Sequence, residues 1–175
     1  RAPHVRVPHC LFGLGSDSCV DDVGVRHSWN RSRHRAVTVT HGPPRHWGAR
    51  VIEDAHRGDG GYVLRDHKPS VYNAGDTAYF AGFREIGQRL GPELALLPIG
   101  AYNPPAFRNV HTSPADAMRA FFDLNARWMV PMHYGTFQLS QEPMDEPLQL
   151  LKKEAKAAGI EDRVFVLEEG VTKFF

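Results

Sequence analysis

The chain has 175 residues, enough for one domain with a substantial core, and 42% of them are hydrophobic. Lys and Arg (21 residues) almost balance Asp and Glu (20 residues). This balance argues against a nucleic-acid-binding protein, because such proteins usually carry a clear basic excess. No apolar run approaches the roughly 20 residues of a membrane-spanning helix, so no transmembrane segment is predicted.

The first thirty residues show little periodicity and contain the only cysteines, Cys10 and Cys19. Their spacing matches neither a redox pair nor a zinc knuckle, so we expect free thiols in a reducing compartment. The chain begins at Arg1 without an initiator Met or a signal-peptide core, and we expect it to be cut from a longer protein. Residues 26–50 are rich in Arg and His and contain no acidic residue. They indicate either a solvated loop or a basic face that would suit an anionic substrate.

Strand signals dominate before Val71. Residues 36–40 are β-branched and predict a strand. Residues 49–54 and 62–65 flank the turn-forming segment 57–61, which predicts a β-hairpin.

From Val71 onwards, strand and helix signals alternate, which predicts an α/β layer with largely parallel strands. Ser113 is a good N-cap for a helix whose first residue is proline, and Gly91 and Gly159 are helix stops. The predicted strands are residues 71–73, 94–99, 128–132, 164–167 and 171–174, and the predicted helices are residues 83–90, 113–126 and 146–158.

Three residues with metal-binding side chains share one sequence context. His46, Asp76 and His133 each follow an apolar or β-branched strand and enter a loop that contains glycine. Ligand-binding groups collect at the carboxyl ends of strands in α/β layers, and imidazole with carboxylate suits zinc, iron or manganese. A carboxylate shared by two ions would also serve two-metal hydrolysis. Taken singly, each histidine is more often an ordinary surface or core residue.

Four sequence blocks carry a family resemblance. They are residues 44–47 (PRHW), 75–79 (GDTAY), 97–102 (LPIGAY) and 131–137 (PMHYGTF). In this order they resemble the carboxyl-terminal half of metallo-β-lactamase-fold hydrolases, and within them the branch of N-acylphosphatidylethanolamine-hydrolysing phospholipase D. The resemblance implies the C-terminal portion of an αββα sandwich. It implies one partial domain over residues 1–175, with residues 36–175 bearing the metal ligands and residues 1–35 weakly assigned.

The resemblance also implies roles for individual residues. His46 would be a terminal ligand of the first of two divalent metal ions, Asp76 would bridge both ions, and His133 would be a terminal ligand of the second. The ions would be zinc, with iron or manganese as alternatives. His111 would line the active site as a catalytic and substrate-binding residue, or be an exposed loop histidine. Tyr102 would line the substrate pocket, or be a packed aromatic residue.

The chain departs from the family in one respect. It contains no H-x-H-x-D-H motif, which supplies the other four ligands in the superfamily. Two ligands per ion fall below the three protein ligands typical of catalytic zinc. We therefore expect the remaining ligands to come from a missing amino-terminal half or from an oligomer partner. Tyr134 stands where Trp is frequent in the lipid-hydrolysing members.

Three functional hypotheses follow. The first is a metal-dependent hydrolase, of phosphodiesterase or phospholipase D type, that uses a metal-bridging hydroxide on an N-acyl phospholipid or a related ester. The second is a truncated, inactive remnant that acts as a binding or interaction module. The third is a small α/β domain with ordinary surface histidines. The expected partner is a small-molecule or phospholipid substrate, without nucleic acid, and the expected location is cytoplasmic or at a membrane periphery.

Overall fold

The computed structural model describes residues 29–43, 45, 60–66, 69–168 and 170–174. Their strands form one six-stranded sheet whose spatial order is the chain order. The strands are β1 (Arg31–His34), β2 (Val37–Gly42), β3 (Gly61–Arg65), β4 (Val71–Asn73), β5 (Leu94–Pro98) and β6 (Trp128–Met132), and the α-helices are α1 (Gly82–Leu90), α2 (Pro114–Leu124) and α3 (Glu146–Ala157).

The sheet is mixed rather than largely parallel. Strands β1 to β4 pair antiparallel, and only the β4–β5 and β5–β6 pairs are parallel. Parallel neighbours need a crossover, and α1 and α2 supply it, whereas the strands before β4 have no helix between them in the described residues. The parallel strands predicted from Val71 onwards are therefore confirmed for β4, β5 and β6, and the strands before them pair antiparallel.

The amino-terminal half of the sheet differs from the prediction in two places. Strand β1 was not predicted, because Arg31 to His34 have no apolar alternation, and this strand is defined by its pairing with β2. Strand β3 pairs with β2 on one edge and with β4 on the other, so its neighbours are not those of the predicted hairpin. The other arm of that hairpin, residues 49–54, lies outside the described residues.

The helix boundaries follow the predicted capping signals. Helix α1 ends at Gly91, which adopts a left-handed conformation (φ 49°) and donates its N–H to the Gly87 carbonyl. Helix α2 begins after Ser113, whose Oγ accepts a hydrogen bond from the Asp116 N–H at 3.2 Å. It ends at Leu124, two residues before the predicted end, and Asn125 (φ 51°) caps it. These three features confirm the helix predictions on either side of β5.

The core lies between the sheet and the helices. Register pairs Val63 with Tyr72, Tyr72 with Ala95, and Ala95 with Met129, so these four side chains point to one face of the sheet. All four belong to one buried apolar cluster with residues of the three helices. The fully buried helix residues in this cluster include Phe83, Ile86, Phe121, Leu124 and Leu151.

The predicted carboxyl-terminal strands are wrong. Among the described residues 164–168 and 170–174, the one β-bridge to β6 joins Val164 to Met129, and Phe165 donates its N–H to the Met129 carbonyl. Val171 and Phe174 are 56% and 92% exposed. Apolar strand-like residues that bury little surface do not offset the entropy of ordering the backbone, so pairing stops after one bridge.

No helix in the described part of the chain has the length and apolar content of a membrane span.

The contact between α1 and α2 generates a stability prediction. A Cβ on Gly87 would lie 2.6 Å from the Leu124 carbonyl oxygen and 2.7 Å from that of Asp123. In an exposed helix, Ala is about 1 kcal/mol more favourable than Gly. We expect Gly87→Ala to reverse that sign and to destabilise the protein by about 1–3 kcal/mol, because backbone must move to admit the methyl group. Urea unfolding measures the change.

Gln88→Ala, at an exposed position of the same helix, is the matched control and should leave the free energy of unfolding nearly unchanged. A Gly87→Ala protein as stable as the parent, or more stable, would contradict the close approach of the two helices.

Candidate functional site

The loops that follow four strands meet at one edge of the sheet. Strands β4, β5 and β6 are parallel, so Asn73, Pro98 and Met132 end at the same edge. Strand β2 also ends there, because two antiparallel pairings in succession return it to the direction of β4. Polar groups at the carboxyl ends of such strands are well placed to form a site.

The structure brings Asp76 and His133 into direct contact. Asp76 lies in the loop after β4, and His133 directly follows β6. The Nε2 atom of His133 lies 2.9 Å from Oδ1 of Asp76, and the side chains are 24% and 44% exposed. The hydrogen bond to Asp76 raises the pKa of His133 above its usual value, while partial burial of the ring opposes that rise.

His111 contacts His133. Its ring stacks on the His133 ring with 5.7 Å between centroids and an angle of 26° between the planes. Phe107 contacts His111 with its centroid 6.4 Å away. The half-buried His111 therefore belongs to the same cluster as Asp76 and His133, although it lies 22 positions before His133 in the sequence.

His46 lies outside the described residues. The residue before it, Arg45, is described and is bound to the Asp76 loop. The Arg45 N–H donates to Oγ1 of Thr77 at 3.0 Å, and the Arg45 carbonyl accepts the N–H of Ala78 at 2.8 Å. The chain that follows β2 thus reaches the loop that follows β4.

Tyr102 has the surroundings of a packed aromatic residue. It is 4% exposed, and its hydroxyl donates to Oε1 of Glu146 at 2.6 Å. Burial, followed by the bond to Glu146 and its charge, raises the pKa of the Tyr102 hydroxyl. Its side chain does not line the cleft next to His133. The packed-aromatic alternative describes these contacts better than a pocket-lining role.

The backbone around His133 is held in an unusual conformation. His133 and Ala101 both have positive φ angles, 60° and 62°. A non-glycine residue in this region costs on the order of 1–3 kcal/mol and persists only when its surroundings hold it there. Gly100 is part of those surroundings, since a Cβ on it would lie 2.4 Å from the His133 carbonyl oxygen. Only glycine allows the β5 loop to approach the backbone of His133 so closely.

A buried carboxylate organises the β5 loop. Glu142 is 5% exposed and accepts the backbone N–H groups of Ala101, Tyr102 and Asn103 at 2.6, 3.3 and 3.0 Å, together with the hydroxyl of Ser140 at 2.5 Å. Burial alone would raise the pKa of Glu142. The bonds from Ser140 and from the backbone outweigh burial, so its pKa lies below the ordinary value. No sequence signal indicated this residue, because a single Glu in a loop normally faces solvent.

A small open cleft adjoins His133. Glu142 and Gly100 line one part of it, and the segment after His133 lines the rest. Two apolar side chains of that segment, Phe137 and Leu139, are 75% and 62% exposed. The cleft therefore joins the polar side chain of His133, which contacts Asp76, to an apolar rim.

Asp76 and His133 have the types of side chain that bind divalent metal ions. The described residues do not supply a complete set of ligands. A carboxylate and an imidazole nitrogen meet at hydrogen-bond distance, and both are ligands that zinc, iron and manganese accept. Within the part of the chain that the structure describes, no group of three or more His, Cys, Asp or Glu side chains is placed to hold a metal. Additional ligands would be needed to complete a centre.

Comparison with known proteins identifies the class of this fold. A solved metallo-hydrolase from Ignicoccus hospitalis superposes with a TM-score of 0.63 and 25% identity, covering 86% of this chain and 60% of that one. The mixed sheet and its helices therefore define a protein of the metallo-β-lactamase fold. The model of the beta-lactamase superfamily domain matches residues 18–134 of the 175, and the chain belongs to that family.

Two relatives indicate the chemistry found among similar sequences. The mitochondrial N-acyl-phosphatidylethanolamine-hydrolyzing phospholipase D of Saccharomyces cerevisiae is 35% identical over 139 residues, which is 76% of this chain and 30% of the relative. A protein of Methanopyrus kandleri named a metal-dependent hydrolase is 32% identical over 138 residues, or 77% of this chain and 55% of the relative. The chain thus spans about a third to a half of these relatives.

The Glu142 network generates a prediction about pH and stability. Glu142→Gln should cost about 1–3 kcal/mol at neutral pH, because buried N–H groups lose a charged acceptor. The folded-state pKa of Glu142 is lowered from 4.5. Its contribution to stability is therefore complete above that pH and is lost as the pH falls through the folded-state value. Urea unfolding between pH 3 and pH 7 should show a smaller acid loss in the variant than in the parent.

Glu154→Gln, at an exposed position on α3, is the matched control and should follow the parent curve. Equal acid sensitivity in the parent and in Glu142→Gln would contradict a buried, hydrogen-bonded carboxylate at this position.

Proposed function

We propose that the chain is part of a metal-dependent hydrolase, of phosphodiesterase or phospholipase D type. The contact between Asp76 and His133 carries this proposal, because it joins two metal-binding side chains at the sheet edge where sites of α/β proteins form. The stacked ring of His111 extends the cluster, and the cleft beside His133 gives a substrate access to it.

In the proposed centre, His46, Asp76 and His133 would hold two divalent metal ions, and Asp76 would be a ligand to both. When bound, the ions would supply an activated water nucleophile and would stabilise negative charge that develops on the substrate. The role assigned to His111 is to bind the anionic group of the substrate, since an imidazole N–H can donate a hydrogen bond to a phosphoryl or carbonyl oxygen. Helix α2 begins three residues after His111, and its amino-terminal dipole favours the same anionic group.

The proposed substrate is an N-acyl phospholipid or a related ester. The yeast relative is named for hydrolysis of such a lipid. The cleft supports an amphiphilic substrate, since the exposed Phe137 and Leu139 can cover an acyl chain while the polar head lies near Asp76 and His133. Burial of a chain against such a surface contributes roughly 0.8 kcal/mol for each methylene removed from water.

We further propose that the remaining metal ligands come from a segment outside this sequence or from a partner subunit. The chain has no H-x-H-x-D-H motif and spans only part of its relatives. The second candidate function is that of an inactive binding module. One observation favours it: within the described residues the donor set stops at fewer than three ligands placed to hold a metal.

Metal binding separates these two candidates. For the hydrolase, Asp76→Asn and His133→Gln should each weaken zinc binding by at least about tenfold, since each removes a ligand from a small set. Equilibrium dialysis with elemental analysis measures the affinity. Asp162→Asn, at an exposed position in the carboxyl-terminal part, is the matched control and should bind as the parent does. Equal zinc affinity in parent, Asp76→Asn and Asp162→Asn would leave the binding module as the better account.

Activity tests the substrate. The zinc-loaded protein with the proposed additional ligands in place should release phosphatidic acid from vesicles of N-acyl phosphatidylethanolamine, and His111→Ala should slow the release. Phe137→Ser should raise KM more than it lowers kcat if this side chain binds the acyl group. Hydrolysis of a soluble phosphodiester but not of the lipid would support the phosphodiesterase proposal and contradict the proposed lipid substrate. Hydrolysis of neither compound would contradict the proposal that the protein is an enzyme.

A further inference from the structure

Two buried threonines follow two of the site residues directly. Thr77 follows Asp76, Thr112 follows His111, and both threonines are 1% exposed. The Thr112 hydroxyl donates a hydrogen bond to the Thr77 carbonyl, so it links the Asp76 loop to the His111 loop across 35 positions of sequence. Nothing in the proposed chemistry uses either hydroxyl.

Thr77 also holds the chain that follows β2. Its Oγ1 accepts the N–H of Arg45 at 3.0 Å and donates to the Ala78 carbonyl at 2.9 Å. The Ala78 N–H returns to the Arg45 carbonyl at 2.8 Å. Three chain segments, each next to a candidate site residue, are therefore tied together at Thr77.

We infer that Thr112 is a positioning residue that sets the His111 ring beside His133, with Thr77 as its anchor on the Asp76 loop. Its place in catalysis rests on the proposed function, whereas the positioning itself requires neither metal nor substrate. A buried carbonyl that loses its donor keeps its desolvation cost, so the pair has a strong reason to stay bonded.

The backbone N–H of His111 is bonded within its own turn. The His111 N–H donates to the Phe107 carbonyl at 2.8 Å, within the 3₁₀ turn Pro105–Asn109 and its exit. That bond fixes the His111 backbone relative to its own turn and does not constrain the distance between the turn and Asp76. The Thr112–Thr77 bond, in contrast, joins the His111 loop to the Asp76 loop directly. Its loss should let the turn move away and separate the stacked rings.

Two variants separate the hydroxyl from the methyl group of Thr112. Thr112→Val keeps the buried volume and removes the donor, and Thr112→Ser keeps the donor and removes the methyl group. Thr172→Val, at an exposed position near the carboxyl terminus, is the matched control for the same substitution.

The readout is the nuclear Overhauser effect between the ring protons of His111 and His133, measured on the whole metal-free chain with labelled histidine. Stacked rings with centroids 5.7 Å apart should give a cross-peak in the parent, and also in Thr112→Ser and Thr172→Val. Thr112→Val should lose most of its intensity. A cross-peak of parental intensity in Thr112→Val would overturn the inference, and so would its loss in Thr112→Ser, because packing of the methyl group would then set the ring.

Urea unfolding checks that each variant folds cooperatively. If Thr112→Val does not fold, Thr112→Ala replaces it, since it removes the hydroxyl without adding bulk, and retention of the cross-peak in that variant would overturn the inference as well.

The outcome for the proposed function is separate. If the parent binds no zinc and hydrolyses nothing, yet the four cross-peak results are as expected, the enzyme proposal fails and the positioning role stands. If the protein is active, Thr112→Val should lower kcat/KM by about 10–100-fold, the range seen when a supporting contact is lost, and Thr112→Ser should restore most of it.

Discussion

The shared direction of β2, β4, β5 and β6 is the constraint on which the site depends. Parallel pairing aligns Asn73 with Leu96 and Pro98 with Met132, so the loops after these strands leave from one edge. Asp76 and His133 are 57 positions apart in sequence. They touch because β4 and β6, which flank β5, end at the same edge of the sheet. A change in the direction of any one of these strands would carry its loop to the opposite edge of the sheet.

Alignment of the strands is not sufficient, because a side chain at a strand end can still point in several directions. The structure fixes His133 through the conformation of its backbone. Gly100 lets β5 approach the His133 carbonyl, and Glu142 draws the next three N–H groups of that loop onto one carboxylate. On the other side, Thr77 and Thr112 tie the Asp76 and His111 loops together. Buried polar contacts of this kind order a loop that has little apolar surface to bury.

The sequence indicated the elements with strong local signals and did not indicate those that depend on distant contacts. Helix α2 was predicted from its capping residue and proline, and β6 from its apolar run, because these signals act within a few residues. Strand β1 has no such signal and exists through its pairing with β2. Residues 164–167 have strong strand propensity, yet they find only one bridge on β6. The strand propensity of these residues could not show how many of them would pair with β6.

The same division applies to the site. Asp76 and His133 were named from their strand-end positions and from the family resemblance, and His111 from the resemblance alone, since side chains with metal-binding chemistry are visible in a sequence. Glu142 and Thr112 were not named, because a supporting role resides in burial and bonding geometry rather than in residue type.

This geometry also bears on the choice between an enzyme and a binding module. Positive φ angles at His133 and Ala101 each cost on the order of 1–3 kcal/mol, which is large beside the 5–15 kcal/mol that stabilises a typical domain. In the proposed metal site, an imidazole already held beside Asp76 would lower the ordering cost of binding, while the proton between the two side chains would have to leave first. The strained backbone therefore supports the proposal that this edge of the sheet carries the site.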